Sequence, residues 1–204
     1  MNGTTAMLAD LAKDPQPVPL LIEGPYGSAK YFPDLASGYD RVLLVAGGVG
    51  ATFTLPIYRD LLSKGKRSMV KFVWSVKSEA DAQWGVESLK EQNDGRLPED
   101  FELYVSRKVA SIDGRHRKGD ESIELQEREG LLGEEASLEE TVRKGRPDVP
   151  ALVDQVFALS RGGEERVAVL VCGPSGLGAS VRKELGRWVA KGRDVFWHAE
   201  EFGW

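Results

Sequence analysis

Cysteine, histidine and long apolar runs are scarce in this 204-residue chain, and each scarcity removes a class of function. A single cysteine, Cys172, cannot form an intrachain disulfide framework and fits a reducing compartment. Two histidines, His116 and His198, beside that one cysteine are too few for a zinc site. No apolar run reaches ten residues, so no segment reads as a bilayer span. Met1 to Ala12 lacks a basic stretch ahead of its few apolar residues, which argues against a signal peptide. Excess positive charge is also missing. The net charge of −5 and the pI of about 5.3 argue against nucleic acid as a partner, because that binding needs a concentrated basic surface. What remains is 41% hydrophobic and 29% charged, the composition of a globular domain large enough for a sizeable core.

The pattern along the chain alternates strands with helices. Residues 1–18 carry little pattern and read as a leader or domain edge, ending in a proline-rich stretch that runs to Pro19. Leu20 to Ile22 reads as a short strand stopped by Gly24-Pro25-Tyr26-Gly27, and residues 28–40 as a loop. Arg41 to Ala46 is a near-continuous apolar run, the mark of a strand covered on both faces. A helix is expected from Thr52 to Ser63, with Pro56 near its first turn. Strand Met69–Val76, helix Glu79–Glu91 and strand Phe101–Val105 follow. Between Ser111 and Arg146 there are ten acidic and seven basic residues and few large apolar ones. Such a stretch buries too little surface to offset its ordering entropy, so about 111–148 reads as a mobile charged insertion, with a possible short helix at Ser137–Lys144. Helix Ala151–Ser160, strand Arg166–Cys172, helix Leu177–Lys191 and strand Val195–Ala199 complete the domain, which spans 19–204. In the last helix Val181, Leu185 and Trp188 share one face.

This alternation predicts an α/β fold: a doubly wound, five-stranded parallel sheet of order 3-2-1-4-5. In such sheets ligands bind at the carboxyl ends of the strands, beside the point where the strand order reverses. Strands one and four flank that point, and each ends in a glycine turn.

The first turn is Gly47-Gly48-Val49-Gly50-Ala51-Thr52. Glycines let a phosphate approach the backbone, and the helix N-terminus behind them supplies free N–H groups. Thr52 can cap the helix or donate to a phosphate oxygen. The run departs from the common dinucleotide fingerprint, since Phe53 stands where a third glycine falls, and no Gly-Lys-Ser/Thr makes it a Walker loop. The bland reading is a tight turn. The second turn is Cys172-Gly173-Pro174-Ser175-Gly176, whose small residues leave room for a flat ring; the bland reading of Cys172 is a buried core thiol. The second strand ends in Trp74-Ser75-Val76-Lys77-Ser78. An acidic residue there suits the ribose 2′-OH of NAD, whereas Ser75, Lys77 and Ser78 suit the 2′-phosphate of NADP. Arg107 and Lys108 add charge beyond strand three. Trp204 ends the chain and has a face suited to stacking on a flavin.

In order, Glu23 to Gly27, Ala46 to Thr52, Cys172 to Pro174 and Glu201 to Trp204 resemble the pyridine-nucleotide module of the ferredoxin–NADP reductase superfamily. Within it the likeness is to the C-terminal part of ferric reductases and NADPH oxidases, the fungal ferric reductases in particular, and it runs from about residue 20 to 204 apart from the insertion. The resemblance implies a ferredoxin-reductase-like nucleotide-binding domain. Gly24, Pro25, Tyr26 and Gly27 would lie at the junction with a flavin domain. Gly47, Gly48, Val49, Gly50, Ala51 and Thr52 would hold the NADPH pyrophosphate. Ser75 and Lys77 would meet the 2′-phosphate, Lys77 standing where an arginine is common. Cys172 and Gly173, with Pro174 and Ser175, would flank the nicotinamide, and Trp204 would shield the flavin ring until nicotinamide displaces it. Hydride would pass to FAD and electrons singly through haems in a membrane domain to ferric iron.

The flavin-binding barrel and the haem-bearing helices that complete such a reductase are not in this sequence, so the isolated chain is expected to be inactive. Its partners would be a flavin-binding domain and a haem-bearing membrane domain, in the same full-length protein or in a second chain. The module itself would be soluble, at the cytosolic face of a membrane. Three alternatives stand beside this reading: a stand-alone module that senses NADPH without turnover, a soluble reductase subunit with another acceptor such as oxygen, and a structural α/β domain.

Overall fold

The computed structural model describes residues 32–106, 142–158 and 164–201. All of these but Phe32 belong to the compact unit Pro33–Trp204. The strands are β1 (Arg41–Gly47), β2 (Val70–Val76), β3 (Phe101–Val105), β4 (Val142–Lys144), β5 (Val167–Gly173) and β6 (Val195–Glu201). The helices are α1 (Leu35–Gly38), α2 (Ala51–Ser63), α3 (Gln83–Glu91), α4 (Val149–Ala158) and α5 (Ser175–Val189).

The strands form one sheet in the order β4-β3-β2-β1-β5-β6, and every neighbouring pair is parallel. The expected doubly wound order is therefore present with one strand more than the sequence pattern shows. The addition is β4, at the edge beside β3, inside the stretch read as a charged insertion. It has no apolar run to announce it, because an edge strand needs one good ladder and tolerates charge on its rim. Arg143 of β4 reaches Glu102 of β3 at 3.2 Å. The short helix considered for Ser137–Lys144 is thus replaced by strand at 142–144, while 107–141 lies outside the described residues. So do the leader at 1–18 and the strand expected at Leu20–Ile22. The loop expected at 28–40 contains α1, whose N-cap Asp34 accepts a hydrogen bond from the Ala36 N–H at 3.0 Å. Four residues are too few to show helical periodicity in sequence.

Burial explains the central strands. All seven residues of β5 are buried, as are Val42 to Ala46 of β1. Side chains of a strand alternate between faces. Leu43, Val45, Val169 and Val171 join Val153, Val156 and Phe157 of α4 and Val181 and Leu185 of α5 in one cluster. Trp188 packs against that cluster, so the expected α5 stripe is the buried face. The other face carries aromatic rings: Phe72 lies 5.1 Å from Tyr58 of α2 and 5.3 Å from Phe101. With helices covering both faces, the open ground for a ligand lies at the strand ends.

Candidate functional site

Ala46 of β1 is in register with Cys172 of β5, and Gly47 is in register with Ser75 of β2. The carboxyl ends of three adjacent strands therefore meet at the same level. β1 runs into a 3-10 turn, Gly48–Gly50, and then directly into α2. β5 ends at Gly173, Pro174 follows, and α5 begins at Ser175.

The two glycine turns touch through their backbones. A Cβ built on Gly47 would lie 2.8 Å from Pro174 Cδ and 3.2 Å from Leu177 Cδ2. One built on Gly173 would lie 3.0 Å from the Gly47 nitrogen, and one on Gly50 would collide with the Cys172 carbonyl. Glycine at these positions is what allows the approach. Gly48 differs: its φ is +55°, and nothing stands within 4 Å of its missing Cβ. Glycine is needed there for backbone conformation, and the space beside it is open.

The described candidates divide between the rim and the layer beneath it. Gly48, Val49, Thr52, Lys77, Pro174 and Ser175 are exposed, Val49 at 55%. Gly50, Ala51, Cys172 and Gly173 are buried beneath them. Thr52 caps nothing: the N-cap of α2 is Gly50, and the Thr52 hydroxyl donates to the Val49 carbonyl at 2.9 Å. Ser78 starts the 3-10 turn Glu79–Asp81, and its N–H donates to Asp81 Oδ2 at 3.0 Å. Gly24, Pro25, Tyr26, Gly27, Arg107, Lys108 and Trp204 lie outside the described residues.

Cys172 is fully buried, and its thiol is pushed up to about 11, chiefly by burial and then by the negative charge of Glu200, its register partner on β6. A thiol held so far above neutrality is not a nucleophile. Glu200 in turn contacts His198 Nε2 at 2.8 Å, and the His198 ring stacks on Phe53 of α2 at 5.7 Å. This acidic and aromatic group beside β5 was not singled out from the sequence, since the packing of α2 and the register of β6 on β5 bring it to Cys172.

A second missed residue is Trp74. Its indole is fully buried, and its Nε1–H donates to the Gly48 carbonyl at 2.8 Å. A signal existed: an indole in a strand covered on both faces needs a partner for its N–H.

The sequence profile of the ferric reductase NAD binding domain family matches residues 39–185, which span β1 to α5 and both glycine turns. The chain belongs to this family. It is 26% identical over 186 residues to ferric/cupric reductase transmembrane component 2 of Schizosaccharomyces pombe, covering 89% of the chain and 29% of that protein. It is 39% identical over 64 residues to ferric reductase transmembrane component 1 of the same yeast, covering 31% of the chain and 11% of that protein. Probable metalloreductase AIM14 of Meyerozyma guilliermondii is 26% identical over 161 residues, covering 76% of the chain and 30% of that protein. The chain thus spans less than a third of the length of each of these relatives. Among solved structures, the cytochrome P450 reductase GcoB of Amycolatopsis is similar with a TM-score of 0.49 and 20% identity, covering 88% of the chain and 42% of that structure. No helix among the described residues is long and apolar enough to cross a membrane.

The domain is therefore an NAD-binding module of an oxidoreductase family, and the two glycine turns meet at the strand ends beside the reversal point of the sheet. A separate cavity of about 580 Å³ opens at the opposite, amino end of the strands, with Arg41, Arg67, Lys71 and Asp100 in its lining. Its cations are already engaged: Arg41 with Glu165, Arg67 with Asn93, and Lys71 with Glu102 and Gln155. It lies a full strand length from the glycine turns.

Proposed function

We propose that this chain is the NADPH-binding module of a flavin-dependent reductase of the ferric-reductase type. It would deliver hydride to FAD on a separate domain, with ferric iron as the final acceptor. The observation that supports this most directly is the close approach of Gly47 and Gly173, which brings the two glycine turns together at the reversal point of the sheet.

The residues present fit a dinucleotide. Open space beside Gly48 and the exposed position of Val49 suit a pyrophosphate against the first turn of α2. Lys77 stands exposed just past β2, where a 2′-phosphate would lie, and Ser75 at the same strand end lies in register with Gly47. The first acids beyond are Glu79 and Asp81, and Asp81 is held by the Ser78 N–H. That arrangement favours NADPH over NADH. Pro174 and Ser175 form the rim on the nicotinamide side, while Cys172 and Gly173 keep the floor beneath low. NADPH would supply the hydride; the chain would bind it, orient it and exclude water from its ring. Gly24 to Gly27 and Trp204 are proposed to face the flavin domain. A haem-bearing membrane domain would carry the electrons onward, placing this module at the cytosolic face of a membrane.

The test has two stages. Calorimetric titration of the chain should show NADPH binding more tightly than NADH. Mixing the chain with the flavin-loaded domain of a ferric reductase under anaerobic conditions should then bleach the flavin on adding NADPH, and neither part should do so alone. Absence of binding by either nucleotide would overturn the proposal.

A further inference from the structure

Trp74 does more than fill the core. Its ring is fixed from several sides: Phe72 lies parallel to it at 6.5 Å, and Trp84 meets it edge-on at 5.5 Å. Gly85 of α3 comes so close that a Cβ there would lie 2.7 Å from Trp74 Cζ3 and 2.9 Å from Cη2. Rotation of the ring is therefore blocked, and its one polar atom points in a single direction, to the Gly48 carbonyl at 2.8 Å. The same carbonyl accepts the Ala51 N–H at the start of α2. Two donors thus draw it inward.

A trans peptide holds its C=O and its N–H pointing in opposite directions. The Gly48 carbonyl and the Val49 N–H share one peptide unit. Drawing that carbonyl toward Trp74 therefore turns the Val49 N–H away from Trp74. Gly48 itself holds a positive φ of 55°, a conformation that favours glycine.

We propose that Trp74 is a positioning residue for the dinucleotide, whose buried indole N–H aims the Val49 N–H at the pyrophosphate. This rests on the reading of the crevice as an NADPH site. The indole also links two parts of that site, because Ser75 and Lys77 continue from Trp74 along the same strand end.

The variant Trp74→Phe keeps a ring and removes the N–H. Its binding is measured by calorimetry with two probes. 2′-Phospho-ADP-ribose carries both the 2′-phosphate and the pyrophosphate, whereas 2′-AMP carries only the former. The variant should bind 2′-phospho-ADP-ribose about tenfold more weakly, the size expected for one hydrogen bond to a charged group, with 2′-AMP changed less than about twofold. Equal loss for both probes would reduce Trp74 to a packing residue, and unchanged binding of both would remove it from the site. Amide NMR of the unaltered chain provides a second measurement that does not depend on the variant folding. The Val49 proton should shift downfield with 2′-phospho-ADP-ribose and not with 2′-AMP; no shift with either would overturn the proposal. If the unaltered chain bound neither probe in calorimetry, the NADPH reading itself would fail and this inference with it.

Discussion

Gly50 and Cys172 are packed so closely that a single methyl group on Gly50 would run into the Cys172 carbonyl. The start of α2 is thereby seated against the end of β5, and the crevice floor is set by backbone on both sides. Gly50→Ala should cost about 1–3 kcal/mol as overpacking and lower the thermal midpoint by roughly 2–12 °C. Nucleotide binding should weaken with it, because the first turn of α2 must move. Gly186 of α5 is the control: it is helical and exposed, with nothing within 4 Å of a built Cβ. Gly186→Ala should be stabilising by about 0.5–1 kcal/mol. Thermal unfolding followed by circular dichroism checks both, and a harmless Gly50→Ala would show that the two turns are not in fixed contact.

Cys172 gives a prediction about pH. Its thiol ionises near 9.0 when unperturbed and near 11 in the folded chain, because burial and then Glu200 disfavour the thiolate. Below about pH 9 both states keep the proton and the group has no effect on stability. As pH rises further the unfolded state loses its proton first, so stability falls from about pH 9 toward about pH 11. Cys172→Ala should remove that component of the alkaline loss, read as the difference in urea midpoint between about pH 8 and about pH 10.5. Iodoacetamide should leave the native thiol unmodified at about pH 8 and modify it once urea unfolds the chain. Rapid labelling of the native protein would contradict the burial.

The central sheet was legible because its strands are covered on both faces. Val167 to Cys172 and Val42 to Ala46 are apolar at every position, and each is followed by a glycine turn. The meeting of the two glycine turns at the strand ends followed from that order alone. What escaped the sequence was whatever depends on neighbours distant along the chain. β4 is three residues with charge on its rim, held by pairing with β3 and by Arg143 against Glu102. The indole of Trp74 meets a carbonyl 26 positions earlier, and Glu200 reaches Cys172 only through the register of β6 on β5. Thr52 shows the converse error: a good capping residue by type, it stands two positions past the cap and bonds back to Val49.

Away from the glycine turns, Tyr58 and Asp100 form a partly buried pair in which the Tyr58 hydroxyl donates to Asp100 Oδ2 at 2.8 Å, while Asp100 Oδ1 is buried with no partner among the described residues. Burial raises the Asp100 pKa above its ordinary 3.8. The unfolded carboxyl therefore ionises at lower pH than the folded one, and the stability this group gives at acid pH is lost as pH rises through the folded value. Asp100→Asn removes that ionisation, so its stability relative to the unaltered chain should improve from about pH 4 to about pH 7. Tyr58→Phe should instead destabilise by about 1–3 kcal/mol, since it strips a side-chain donor from a partly desolvated carboxyl group. Urea denaturation at the two pH values measures both. A Tyr58→Phe chain as stable as the original would mean that the pair contributes nothing.

In the proposed site, Lys77 is the residue expected to separate the two nicotinamide cofactors. It is exposed immediately beyond β2, a strand whose Ser75 lies in register with Gly47 of the first turn. A 2′-phosphate there would gain a charge-assisted contact of about 1.5–3 kcal/mol that a 2′-hydroxyl would not. Lys77→Ala should therefore weaken NADPH about 10- to 100-fold and NADH by less than about twofold. Lys77→Arg should preserve or improve NADPH binding, because a guanidinium offers a phosphate two parallel donors where an ammonium offers a point charge. The affinity of the unaltered chain for NADPH should also fall as salt is raised, and that slope should flatten in Lys77→Ala while NADH shows little slope in either. Dissociation constants for both cofactors across a salt series decide the matter. Equal losses for NADPH and NADH would place Lys77 outside the 2′ pocket and leave the preference for NADPH without a residue to carry it.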